Sequence, residues 1–280
     1  MRPSWQVDLK WAAGLLACLA IVVAGALFSL AHITGRDTAV PLSTAVLSAA
    51  ISDRVSDEEY AQVQAAAVAN PDAPVSLAPT LVTATGREIA GLSKDDAAKL
   101  IAGKLATVLY ENGDGAAKAL IPERRPDSDK DPISLGPTGI LSNDNHSMFS
   151  KYFLFAAVLS ALLLAVVAAM GRGFGRLGGP AFVVALSTAP LAVLWTAAGA
   201  AIGTGDPEGN AIVFAARAAA RNSADDLKST FVLVVAVAFA GAIVALLAGI
   251  ALLVAKRVRA RQTQSPATSV VLADTPQSLA

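Results

Sequence analysis

The stretch FVLVVAVAFAGAIVALLAGIALLVA, residues 231–255, runs for 25 residues without a charge and is followed at once by Lys256, Arg257, Arg259 and Arg261. About 20 mainly apolar residues, wound as a helix, cover the hydrocarbon core of a bilayer. Lipid offers no water to backbone amides and carbonyls, so such a segment folds as a helix that satisfies its own main chain. Three further uncharged stretches, 11–33, 152–170 and 181–202, meet the same requirement. The fold class expected is therefore mainly α: a four-helix polytopic membrane protein, with a mostly helical extracytoplasmic domain between spans 1 and 2.

Composition agrees, because 54% hydrophobic and only 16% charged residues are too apolar a mixture for an ordinary soluble domain of 280 residues. The formal net charge is zero, but the charges are unevenly placed. With residues 1–10 inside, the cytoplasmic segments carry eight basic side chains (Arg2, Lys10, Arg172, Arg176, Lys256, Arg257, Arg259, Arg261) against Asp8 and Asp274. The two segments placed outside, 34–151 and 203–230, then hold 14 basic and 20 acidic residues. An excess of Lys and Arg beside the spans marks the cytoplasmic side. Both termini are thus expected in the cytoplasm, with 171–180 a short cytoplasmic turn and 256–280 a polar, disordered tail. The expected location is the plasma membrane of a bacterial cell.

Two processing signals overlap the first span. Ser29-Leu30-Ala31 has the small-x-small form of a signal-peptidase site, but the apolar run before it is longer than the roughly 7–15 residues of a cleaved signal. Leu15-Leu16-Ala17-Cys18 loosely resembles a lipoprotein box, yet the residues after Cys18 stay apolar. Cys18 is the only cysteine, so no disulfide staples the outer domain.

Small residues at a four-residue period let helices approach closely in lipid. Ala157, Ala161, Ala165 and Ala169 form one such row, Gly241, Ala245 and Gly249 another, with Ala13–Ala17 and Ala20–Ala24 in the first span. These faces are candidates for helix packing or for a homo-oligomer. Pro190 removes a helical donor in the third span, and Ser187 and Thr188 are expected to re-satisfy the freed carbonyl. Asp, Glu, Lys and Arg are absent from all four spans, which argues against a proton-coupled carrier or voltage sensor.

In the outer domain Ser43 is expected to cap a helix ending at Arg54. Ser56-Asp57-Glu58-Glu59 has the capping-box form and opens a second helix, ending near Asn70-Pro71. Ser93 opens the third, whose Ala97, Leu100, Ile101, Leu105, Val108 and Leu109 share one face and whose stop is Asn112-Gly113. That stripe is expected to meet the domain's own core rather than an outside partner. A short strand is expected over 80–85, and 113–147 reads as a linker.

Candidate chemistry is sparse. Asp127, Asp129 and Asp131 fail as a calcium loop, since Pro132 stands where glycine is needed and Thr138 where a bidentate glutamate is needed. His32 and His146, the only histidines, should both lie at the outer membrane face, with Asp37 and Asp144 as the carboxylates that could complete a metal site there. Their spacing matches no metal signature. A short helix is expected over 210–222, capped by Asp206, with Arg217 and Arg221 on one face, paired with Asp225, Asp226 or Glu208, or free for lipid phosphates. The Gly171–Gly175 run is too short for a nucleotide loop and reads as a flexible connector. No nucleophile elbow, phosphate loop or zinc-protease motif occurs. No catalytic, cofactor-binding or metal residue is therefore assigned, and no nucleic-acid partner is expected from the basic run after the last span. The function expected is non-enzymatic: an outer domain that binds or senses a membrane protein or envelope component. The alternatives are a pore or transporter subunit and, further off, a membrane-bound metalloenzyme.

Overall fold

A computed structural model describes residues 4–77, 82–120, 140–171, 173, 175–203 and 211–263. The order is α1 (Ser4–Thr34), α2 (Arg36–Arg54), α3 (Asp57–Ala69), β1 (Pro74–Val75), β2 (Ala84–Thr85), α4 (Gly86–Ile89), α5 (Lys94–Leu120), α6 (Asn143–Met170), α7 (Gly175–Gly203) and α8 (Ala211–Thr263). Four of these, α1, α6, α7 and α8, are long and apolar enough to cross a membrane. They form one bundle in which α1 pairs with α6 and α7 with α8. Large apolar side chains such as Leu15, Phe155, Val193 and Leu233 face outward from it.

The bundle packs through small residues, though not all of those the sequence singled out. Ala13, Ala17 and Ala24 are buried on α1, and Ala245 on α8 lies against Gly178 of α7. On α6 the buried positions are Ala156, Ser160 and Val167, whereas Ala161, Ala165 and Ala169 are exposed. The period of an alanine row shows which residues share a face, and this row is the one that turns away from the bundle. The hydroxyls beside Pro190 also differ from expectation. Ser187 donates to the Val183 carbonyl at 2.6 Å and Thr188 to Val184 at 2.8 Å. Each back-bonds to the carbonyl four residues earlier, so neither reaches the Leu186 carbonyl that Pro190 frees.

The remaining elements form a helical domain with its own core. Ser56 and Glu59 make the reciprocal capping box at the start of α3, and Ser93 accepts from the Asp96 amide at the start of α5. Gly113, with φ 64°, breaks α5 where Asn112-Gly113 predicts a stop, and the helix then resumes to Leu120. The α5 stripe packs inward: Ala97, Ile101 and Leu105 are fully buried with Leu47 and Ile51 of α2 and Ile89 of α4. Two-residue strands β1 and β2 pair antiparallel, so only the end of the expected 80–85 strand is seen, residues 78–81 lying outside the described residues. A second capping box, Thr85 with Glu88, opens α4 and has no counterpart in the sequence reading.

Ser43 is not a cap. It is buried inside α2, which begins after Gly35 and carries Pro41 internally. The donor that Pro41 lacks would have bonded Asp37 in the exposed first turn, where water replaces it at little cost. Nor is 211–222 a separate helix, because α8 continues unbroken for 53 residues. No glycine or proline separates Asn222 from Phe231, and Ala224, Leu227 and Phe231 are buried along one face across that join. At 1.5 Å per residue α8 is roughly 80 Å long, well beyond the about 30 Å of a hydrocarbon core. It also packs on α2 of the helical domain. Between α6 and α7, Arg176 Nε donates to the Gly171 carbonyl at 3.1 Å. Asp127, Asp129, Asp131, Asp206 and Glu208 lie outside the described residues, as do 264–280.

Candidate functional site at the seam of bundle and domain

Where α1 ends, the single extended residue Gly35 turns the chain into α2, with φ −63° and ψ 147°. The first turn of α6 and the middle of α5 close on this turn and leave a cavity of about 610 Å³. His32 of α1, Arg36 and Asp37 of α2, Tyr110 and Glu111 of α5 and His146 of α6 line it. Each arrives for a local reason. His32 sits in the last turn of α1, its ring stacked on Phe28 with centroids 6.2 Å apart. His146 follows the N-cap Ser142, whose hydroxyl accepts from the Asn145 amide. Tyr110 continues the buried face of α5 one residue past Leu109.

The electrostatics are mixed. Arg36 reaches Glu111 at 3.2 Å, both side chains being at least half exposed, so this pair adds at most about 1 kcal/mol. Burial raises the Tyr110 phenol above its ordinary value, against the lowering effect of Arg36. His146 Nδ1 lies 2.9 Å from the Ala31 carbonyl. A carbonyl only accepts, so Nδ1 is the donor in this contact. His32 Nε2 is buried with no protein hydrogen-bond partner. An unpaired buried ring nitrogen is costly, which makes it the polar atom in the seam most in need of a guest.

The structure thus brings His32, His146 and Asp37 to one cavity, while Asp144 does not line it. Among the described residues no three His, Cys, Asp or Glu side chains are grouped so as to hold a metal ion. Arg36, Tyr110 and Glu111 were absent from the candidate set. Their only trace in the sequence is the position of Tyr110 beside the α5 stripe. Arg217 and Arg221 are exposed on α8 and pair with neither Asp225 nor Asp226. The arrangement offers hydrogen-bond donors, acceptors and both signs of charge at the join of domain and bundle, which is chemistry for holding a polar group. Comparison with protein-family models, curated proteins and solved structures finds no match to this chain.

Proposed function

We propose that this chain is a multi-pass membrane protein, without enzymatic activity, whose α2–α5 domain stands outside the cytoplasm and binds or senses a partner protein or an envelope component. The observation that carries this reading is α8, one unbroken helix that packs on α2 of the domain and also runs on through the basic Lys256–Arg259 stretch. A rigid element touching both lets a change at the domain bias the opposite face of the bilayer. The excess of Lys and Arg in that stretch supports its cytoplasmic placement. The pore alternative gains no support from the spans. Ser160, Ser187 and Thr188, buried polar side chains there, each donate to a carbonyl of their own helix.

The test uses the full-length protein in cells, with a photo-crosslinking residue at Val68 of α3, which is 68% exposed, and at Leu162 on the lipid-facing side of α6 as control. A discrete protein or envelope adduct from position 68, absent from position 162, is expected. Adducts from neither position, or the same adducts from both, would remove the basis for a binding domain.

A further inference from the structure

At the end of the bundle remote from the helical domain, α7 and α8 separate around a groove of about 700 Å³. Gly178 and Gly179 of α7 and Gly249 of α8 line it where larger side chains would fill the space. Phe182 and Leu246 supply apolar lining, and Lys256 is its one charged residue among the described residues. Phe182 and Leu246 are 56% and 63% exposed, so the groove opens on the surface that faces lipid. Lys256 pairs with no acidic side chain among the described residues, and Arg257 follows it.

We propose that this groove is a binding site for one anionic phospholipid, its acyl chain lying along the glycines and its phosphate held by Lys256. Charge complementarity selects this occupant. A second copy of the chain would bring its own Lys256 and Arg257 to the same level and repel. An acyl chain supplies the dispersion contacts that the glycine-lined space lacks, and an anionic headgroup supplies the counter-charge. The positive end of the α7 dipole lies beside the same mouth, at Gly175, and adds to the attraction. The inference rests on the reading that α7 and α8 cross a bilayer.

The full-length protein is reconstituted in vesicles of phosphatidylcholine with a minor share of phosphatidylglycerol, and retained lipid is identified by native mass spectrometry. Phosphatidylglycerol is expected to be enriched over phosphatidylcholine. Lys256→Gln should lower that enrichment about fivefold, the factor set by about 1 kcal/mol per basic side chain at an anionic surface, and Lys256→Arg should preserve it. Gly179→Leu, whose Cβ would meet only an ordinary contact with Val167 at 3.7 Å, should displace the retained lipid. Glycerol phosphate, which has the charge without the chain, should not compete. The proposal is overturned if phosphatidylglycerol is not enriched, if Lys256→Gln leaves the enrichment intact, if glycerol phosphate displaces the lipid, or if Gly179→Leu instead dissolves a dimer. Release from the vesicles by alkaline carbonate would show that the membrane reading itself is wrong. Retention without enrichment would defeat this site alone.

Discussion

The indole Nε1 of Trp195 donates to the hydroxyl oxygen of Ser29 across 3.1 Å, and Ser29 in turn donates to the Gly25 carbonyl at 2.9 Å. This relay ties α7 to α1 through a side chain that is 4% exposed. It sits beside the cluster of Leu191, Leu227 and Phe231, against which Phe28 and Trp195 pack. Replacing Ser29 by alanine leaves the indole donor unpaired in an apolar setting. A loss of about 0.6–1.7 kcal/mol is expected, the range found for such bonds between helices in membranes. Thermal unfolding in mild detergent measures it. Trp195→Phe in the Ser29→Ala background should cost less than in the native protein, and equal costs would mean the bond contributes nothing.

One turn below, Gly25 makes room for α7. A Cβ placed there would clash with Leu191 Cδ1 and lie 3.3 Å from Phe231 Cε1. Gly25→Ala should therefore destabilise by about 1–3 kcal/mol, the usual cost of overpacking. Leu191→Ala combined with it should recover part of that loss, because the clash is with the far end of the leucine. Additive losses in the double variant would place the effect in the α1 backbone instead.

The helical domain should weaken in acid over a defined range. Lys104 Nζ lies 2.7 Å from Glu88 Oε2, and the Thr85 amide donates to the same carboxylate at 2.8 Å. The Lys104 bond and then the Thr85 amide hold the Glu88 carboxyl down from 4.5 to about 2. A carboxyl depressed on folding contributes stability that is present above its unfolded value and is lost as pH falls through the folded one. Asp57, held low by the Lys94 ammonium, acts in the same direction. Unfolding midpoints should fall as pH drops from about 4.5 toward 2, and Glu88→Gln should flatten that slope. An unchanged slope in the variant would assign the acid sensitivity elsewhere.

The α3 start offers a simpler test. Ser56 Oγ accepts from the Glu59 amide at 3.1 Å and Glu59 Oε2 accepts from the Ser56 amide at 2.9 Å. Ser56→Ala should cost about 0.5–2 kcal/mol and Ser56→Asp much less, since aspartate caps as well as serine. Urea titration followed by circular dichroism of the full-length protein reads both.

Much of this architecture was legible in the chain because its causes are local. Length without charge picks out the four long apolar helices, since the 231–255 and 11–33 runs need no partner to declare themselves. Ser56 with Glu59 and Ser93 with Asp96 announce helix starts because a capping bond spans three residues. The α5 stripe likewise shows which face is buried, and the domain core receives it. Tertiary structure decided the rest. Only packing shows that Ala156 and Ser160, not Ala161 and Ala165, meet the bundle, because a periodic row defines a face without saying what that face meets. Only packing joins His32 and His146, 114 positions apart, to Arg36, Tyr110 and Glu111 in one cavity, for no pattern in sequence encodes a meeting of four segments. The continuity of α8 through Ser223–Thr230 belongs to the same class. The short helix expected from the sequence stops at Asn222, but Ala224, Leu227 and Phe231 are buried along one face of a helix that runs on.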